Sequence, residues 1–306
     1  MISGDYLHKC IVCIAHRSAE IILDSVGVTY YDMKRWEIRK RKVNFVNIER
    51  NRVKEIFAEY VSHYDAQDEK VKLKIDHTYR VAELCDAIAR SVNLTTEEID
   101  LAWLCGMLHD IGRFEQIKNY GTFIDADSVD HALYGAKILF DEEKIYAFLT
   151  EPTNEVCDIL RKVISCHSAY RVPEEYDEYV KMFADILRDA DKIDILKVNV
   201  EVPLEEIYNV TTEELRNEEV TKEVMESFGE EQAILRTLKK TSVDHVVGHI
   251  SLVFELVYPV SIQIVQKQGC LDKLMEFTSD NLRTRKQFAE LRDMMKDYIN
   301  RRCNFF

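Results

Sequence analysis

The chain has 306 residues, 46% hydrophobic and 31% charged, the balance of a soluble globular protein long enough for a substantial core. Its formal net charge of −14 argues against broad nucleic-acid coating, which needs a basic surface, yet leaves room for a small phosphorylated substrate whose charge a metal ion offsets. No apolar run approaches the roughly 18 residues that span a membrane, and eight scattered cysteines read as reduced, mostly buried thiols of a cytoplasmic protein.

Four prolines and nine glycines are few for this length, which favours long helices over many short strands. Residues 1–44 stand apart as an extension of uncertain structure. The apolar run CIVCIA is too short for a signal peptide, and His16-Arg17 follows it. His8, Cys10, Cys13 and His16 offer zinc-type donors at a spacing too compressed for a usual finger. ILDSVGVTYYD is β-like, and residues 33–42 (MKRWEIRKRK) hold six basic side chains. The natural start could lie at Met33.

From Phe45 a helical period takes over, with Val46, Ile56, Phe57, Tyr60 and Val61 near one face. The next helix carries Ile75, Tyr79, Ala82, Leu84 and Ile88. NLTTEEIDLAWLCGMLHDIG opens with a capping box at Thr95 or Thr96 and is apolar nearly all round, so this helix is expected at the centre. Further helices are expected near 129–140, 154–167, 178–198, 212–227, 243–268 and 280–302. Pro152, Pro173 and Pro203 fall between them. The chain reads as all-α, with residues 45–306 forming one domain: a metal core at about 70–200 and C-terminal helices at 204–306.

His109-Asp110 ends the central apolar helix, where a buried polar pair is costly unless satisfied. A hydrogen-bonded core feature, a helix cap and a metal site all compete to explain it. The neighbours favour metal. His77 lies within an apolar-faced helix, His131 opens another, His167 ends a third, and Asp189 and Asp191 lie in FADILRDADKIDIL. A bundle can aim such side chains into one interior site. Mixed nitrogen and oxygen donors suit Mn, Fe or Zn, with Mg a weaker fit. His131 and His167 also have readings without metal, as a residue opening a helix and a residue closing one. Asp189 and Asp191 differ by about 200° around a helix and cannot point the same way.

HTYRVA, MLHDIGRFEQ and DADKIDIL together resemble the HD-domain metal-dependent phosphohydrolase superfamily over roughly residues 45–200. The resemblance implies an HD-domain helical bundle with a divalent metal between helices, held by His77, His109, Asp110 and Asp191. It implies hydrolysis of phosphate esters, commonly in nucleotides. His131 and His167 match, in order and approximate spacing, the extra histidines of binuclear branches such as the HD-GYP-like phosphodiesterases, which implies a binuclear site with Asp110 where it could bridge to a second ion. No GYP signature is present, and one histidine stands near 167 where many such enzymes have an adjacent pair. Asp189 is the fallback ligand, or a partner supporting a histidine.

The expected reaction is attack by a metal-bound hydroxide on a phosphate ester, probing a phosphodiesterase or a nucleotidase. One or two ions are expected, with Mn or Fe favoured. Asp110, Arg113 and Lys192 are the candidate catalytic residues, the two cations as phosphate contacts; Arg171 is a weaker candidate. Each cation could equally be a solvated charge or half of an ion pair. A catalytically silent nucleotide-binding module and a di-iron oxygenase on the same fold are the alternatives. His245 and His249 lie four apart on one helix face and read as core or interface packing. The apolar stretch VVGHISLVFELVYPVSIQIV, which Pro259 kinks or divides, fits a buried helical pair or the interface of a homo-oligomer.

Overall fold

The computed structural model describes residues 43–304; the features read from residues 1–42 lie outside the described residues. The described part belongs to the second of two units of the chain, Val43–Phe306. Among the described residues there are helices and no strand. None of these helices is long and apolar enough to cross a membrane.

Four helices build the first half of the core: α1 (Arg50–Val61), α2 (Glu69–Ser91), α3 (Thr96–Leu108) and α4 (Ile111–Tyr120). Residues 43–49 precede α1 without helical structure, so Val46 lies off the expected helix; Val53 and Phe57 supply its buried face. The Asp68 carboxylate caps α2 by accepting from Lys70 N. The capping box of α3 falls on Thr95 and Glu98. From Leu101 to Leu108 every residue of α3 is buried, Trp103 among them, as the all-round apolar pattern requires. Each large side chain so buried contributes about 1.5–3 kcal/mol. Gly106 lets α3 lie against α2, since a Cβ there would sit 2.6 Å from Ala82 Cα.

The chain continues through α5 (His131–Ala136), which runs on into a π-turn at Lys137–Asp141, then α6 (Ile145–Phe148), α7 (Asn154–Cys166) and α8 (Glu178–Glu201). Asp130, Thr153 and Asp177 cap α5, α7 and α8. Helix α8 packs against α2, α3 and α7, so its inward face is shared with the other core helices.

The C-terminal part comprises α9 (Leu204–Tyr208), α10 (Thr212–Asn217), α11 (Lys222–Gly229), α12 (Ser242–Ile250), a 3-10 segment Ser251–Glu255, α13 (Pro259–Gln268), α14 (Cys270–Met275) and α15 (Leu282–Asn304). The single helix expected over 212–227 is two helices. Residues between them are held by distant side chains: Gln287 brackets Val220 N and O at 3.1 and 2.7 Å, and Asp244 accepts from Thr221 N at 2.9 Å. The expected helix over 243–268 is also divided. Pro259 takes the first position of α13, where a missing N–H costs nothing.

Candidate metal centre

Helix α3 delivers His109 at its end, and the chain turns through Asp110 directly into α4. Helix α2 presents His77 from its middle, α5 presents His131 from its first position, α7 presents His167 from its C-cap, and α8 presents Asp191. The four histidines and Asp110 are each no more than 4% exposed. Two glycines allow α5 to reach the site. A Cβ on Gly112 would sit 2.4 Å from His131 O and 2.6 Å from Gly135 N.

Asp110 divides this cluster in two. Its Oδ2 lies 3.6 Å from His77 Nε2 and 3.5 Å from His109 Nε2. Its Oδ1 lies 3.5 Å from His131 Nε2 and 3.7 Å from His167 Nε2. Asp191 Oδ1 joins the first half, 3.1 Å from His77 Nε2 and 3.9 Å from His109 Nε2. Ligand atoms about 2.1 Å from one ion stand roughly 3.0–3.4 Å apart in octahedral or tetrahedral geometry. The observed spacings lie at or slightly above that range.

The outer ring nitrogens explain why the inner ones converge. His109 Nδ1 donates to Gly106 O at 2.8 Å and His167 Nδ1 to Ile164 O at 2.7 Å. His77 Nδ1 pairs with Asp194 Oδ2 at 2.6 Å, and His131 Nδ1 with Asp125 Oδ2 at 2.7 Å. A neutral imidazole that donates from Nδ1 presents a lone pair at Nε2. Yet His131 and His167 approach Nε2 to Nε2 at 3.0 Å, and His77 and His109 at 3.3 Å. Facing lone pairs repel unless a proton or a cation lies between them. The donor set therefore fits divalent metal, in one half or in both.

A further ring of groups holds these partners. Arg80 grips Asp194 with two bonds, at 2.6 and 2.9 Å. Arg113 Nη1 donates to Gln116 Oε1, Phe123 O and Asp125 Oδ1 at 2.7–2.8 Å, and Gln116 also binds Asp125. Asp125, Asp130 and His131 form another grouping of metal-type donors. Its oxygens are already engaged, however: Asp130 caps α5, and Asp125 serves His131, Arg113 and Gln116.

Burial alone raises the pKa of Asp110, but Lys74, with Nζ 2.7 Å from Oδ2, and His109 hold it well below the usual carboxylate range. Burial likewise opposes ionisation of Asp191, and His77 reverses that, lowering its pKa. Burial, then Arg113, pushes His131 down to about 4 even against its bond to Asp125. For His77, burial and Lys74 favour the neutral ring, while Asp191 and Asp194 outweigh them and raise the pKa.

The structure thus brings His77, His109, Asp110, His131, His167 and Asp191 together. It does not bring Asp189 with them. That carboxylate points the other way, accepting from Val257 N, Tyr258 N and Ser261 Oγ at 2.6–3.0 Å. As a fallback ligand, or as a support for a histidine, Asp189 is out of place; Asp194, one turn beyond Asp191, supports His77. Lys192 also faces away from Asp110 chemistry as placed, with Nζ 3.2 Å from Glu255 Oε2. Arg171 is exposed and pairs with Glu255 at 2.5 Å. His245 and His249 pack their rings on Tyr208, each at 5.4 Å between centroids, and His249 Nδ1 lies 2.8 Å from the Tyr208 hydroxyl, which donates to Asn199 Oδ1.

Sequence reasoning missed Lys74, Arg80, Asp194, Asp125 and Gln116. The first two lie three residues either side of His77, and Asp194 three after Asp191. That spacing puts each beside a ligand on the same helical face. The HD-domain family model matches residues 75–196, which hold all six converging residues. No curated protein and no solved structure matches the chain.

Proposed function

We propose that the chain, whose residues 75–196 match the HD-domain family model, is a metal-dependent phosphohydrolase that cleaves a phosphate ester of a nucleotide at a two-metal centre that Asp110 would bridge. One observation carries this reading: two pairs of imidazole nitrogens face each other across the two oxygens of a single buried carboxylate. His77, His109, Asp110 and Asp191 would hold one ion, and His131, His167 and Asp110 the other. When bound, such a pair supplies Lewis acidity toward phosphoryl oxygens and a water that is nucleophilic at neutral pH. No Ser or Cys nucleophile is needed.

The chain's own residues divide the remaining work. Asp194 and Asp125 fix the His77 and His131 rings and raise their basicity as ligands. Arg113, assigned from sequence to phosphate, is better used in holding Asp125 beneath His131. Lys74 is the cation closest to Asp110, with its side chain 18% exposed, and is placed to meet an incoming phosphoryl oxygen as a point charge. The test is product release from nucleoside monophosphates, cyclic nucleotides, dinucleotides and bis(p-nitrophenyl) phosphate with Mn²⁺, Fe²⁺, Zn²⁺ or Mg²⁺, beside Asp110→Ala. Metal-dependent release that the variant lacks supports the proposal. Metal bound without release from any substrate refutes hydrolysis and favours a binding module; oxygen consumption with iron favours an oxygenase.

A further inference from the structure

Helix α8 has two working faces. Asp191 and Asp194 turn toward the histidines. Arg188, Asp189 and Lys192 turn toward the segment between α12 and α13, far along the chain and outside residues 75–196. The centre of that second face is Glu255, the one acidic residue of the largely apolar stretch VVGHISLVFELVYPVSIQIV. Its carboxylate is 8% exposed and meets three cations: Arg171 at 2.5 Å, Arg188 at 3.2 Å and Lys192 at 3.2 Å.

Arg188 connects this carboxylate to the cluster. Its guanidinium donates to Cys166 O at 3.3 Å, His167 O at 3.1 Å, Tyr170 O at 3.3 Å and Ala169 O. These carbonyls belong to the last turn of α7 and the chain leaving it, where helix ends leave acceptors without partners. The planar fork thus fastens α8 to the residue that carries the His167 ring. Only 6% exposed, Arg188 needs a counter-charge to remain there, and Glu255 is the only anion paired with it among the described residues.

We infer that Glu255 is a positioning residue for the His131–His167 half of the centre, acting through Arg188 on the backbone at His167. The inference rests on the two-metal reading above. The His77 and His109 rings of the other half are held by Asp194, which Arg80 grips, and by Gly106 O, and not by the carbonyls that Arg188 binds. Loss of Glu255 should therefore separate the two halves. A role confined to general stability would weaken both together.

The experiment is a Mn²⁺ titration of the full chain, followed by calorimetry and by the magnetic coupling of paired ions in electron paramagnetic resonance. The ion of the His77 half, with four ligands against three, is the tighter; Glu255→Gln should keep it within about twofold and weaken the ion of the His131 half by about 10- to 100-fold, as loss of a supporting partner does elsewhere. The coupled signal should fade in step. Glu255→Asp should restore part of the second affinity. Arg188→Lys keeps the charge but loses the fork, and should repeat the Glu255→Gln result; it also serves if Glu255→Gln does not fold. Equal loss of both ions, or no change in either, overturns the inference. A wild-type chain that binds no Mn²⁺ overturns the metal reading itself, and this inference with it. Two ions with no response to Glu255 or Arg188 overturn this inference alone.

Discussion

Gly112→Ala tests how the histidine of α5 is brought to Asp110. The added Cβ would stand 2.4 Å from His131 O and 2.6 Å from Gly135 N, both backbone atoms that no rotamer change can move. Ordinary contact begins near 3.4 Å, so α5 must shift by about 1 Å. Overpacking of this kind costs about 1–3 kcal/mol. Metal ligands tolerate only about 0.2 Å of misplacement, so the His131 half should lose about tenfold or more in affinity. Gly121→Ala is the control. Its φ of 69° makes alanine unfavourable by roughly 1 kcal/mol, but its Cβ would meet nothing within 4 Å. The assay pairs thermal unfolding with Mn²⁺ titration. Both variants should lose stability, and only Gly112→Ala should lose the weaker ion. Unchanged Mn²⁺ binding in Gly112→Ala would refute the argument that this close contact sets the position of His131.

Two other substitutions read different parts of the site, and a third reads a buried histidine outside it. Asp194→Asn keeps the shape but removes the charge held by Arg80 and His77, and should weaken the tighter ion by about 10- to 100-fold in calorimetry, with the second ion less affected. Lys74→Met removes an ammonium that now shares Asp110 Oδ2, so Mn²⁺ affinity should rise by about tenfold or more at low salt; a fall would contradict the competition. His249 is held neutral by burial, then by Lys239, with its pKa down at about 3. The unfolded chain takes up a proton there near pH 6.5 while the folded one does not, so stability falls as pH drops below about 6.5, by at most about 1.4 kcal/mol per unit. Urea unfolding at pH 7 and pH 5 should show a smaller loss in His249→Gln than in the wild type, and an equal loss would refute that assignment.

The converging residues were legible because imidazoles and carboxylates recur on separate helices that otherwise pack apolar faces together. His77, His131 and His167 have no surface role to explain them, and the 200° separation of Asp189 and Asp191 required that one of the pair face elsewhere. Asp194, Lys74 and Arg80 were legible in principle from spacing of three residues. Asp125 and Gln116 were not, since the turn after α4 folds back to bring Asp125 against both Gln116 of α4 and His131. Glu255 reaches Arg188 across 67 positions of sequence, and nothing local marks that pairing. The same holds for the break at 218–221. Helical periodicity runs through it, while tertiary bonds from Gln287, Asp244, Thr241 and Thr284 hold its backbone out of the helix. Pro259, by contrast, marks its own helix start.

The most direct measurement of the central claim is metal stoichiometry after reconstitution, in wild type, His131→Ala and Asp110→Ala. The two-ion account predicts about two Mn²⁺ per wild-type chain, about one in His131→Ala, and sharply weakened binding of both in Asp110→Ala. One ion in the wild type, unaffected by His131→Ala, would contradict a bridging Asp110.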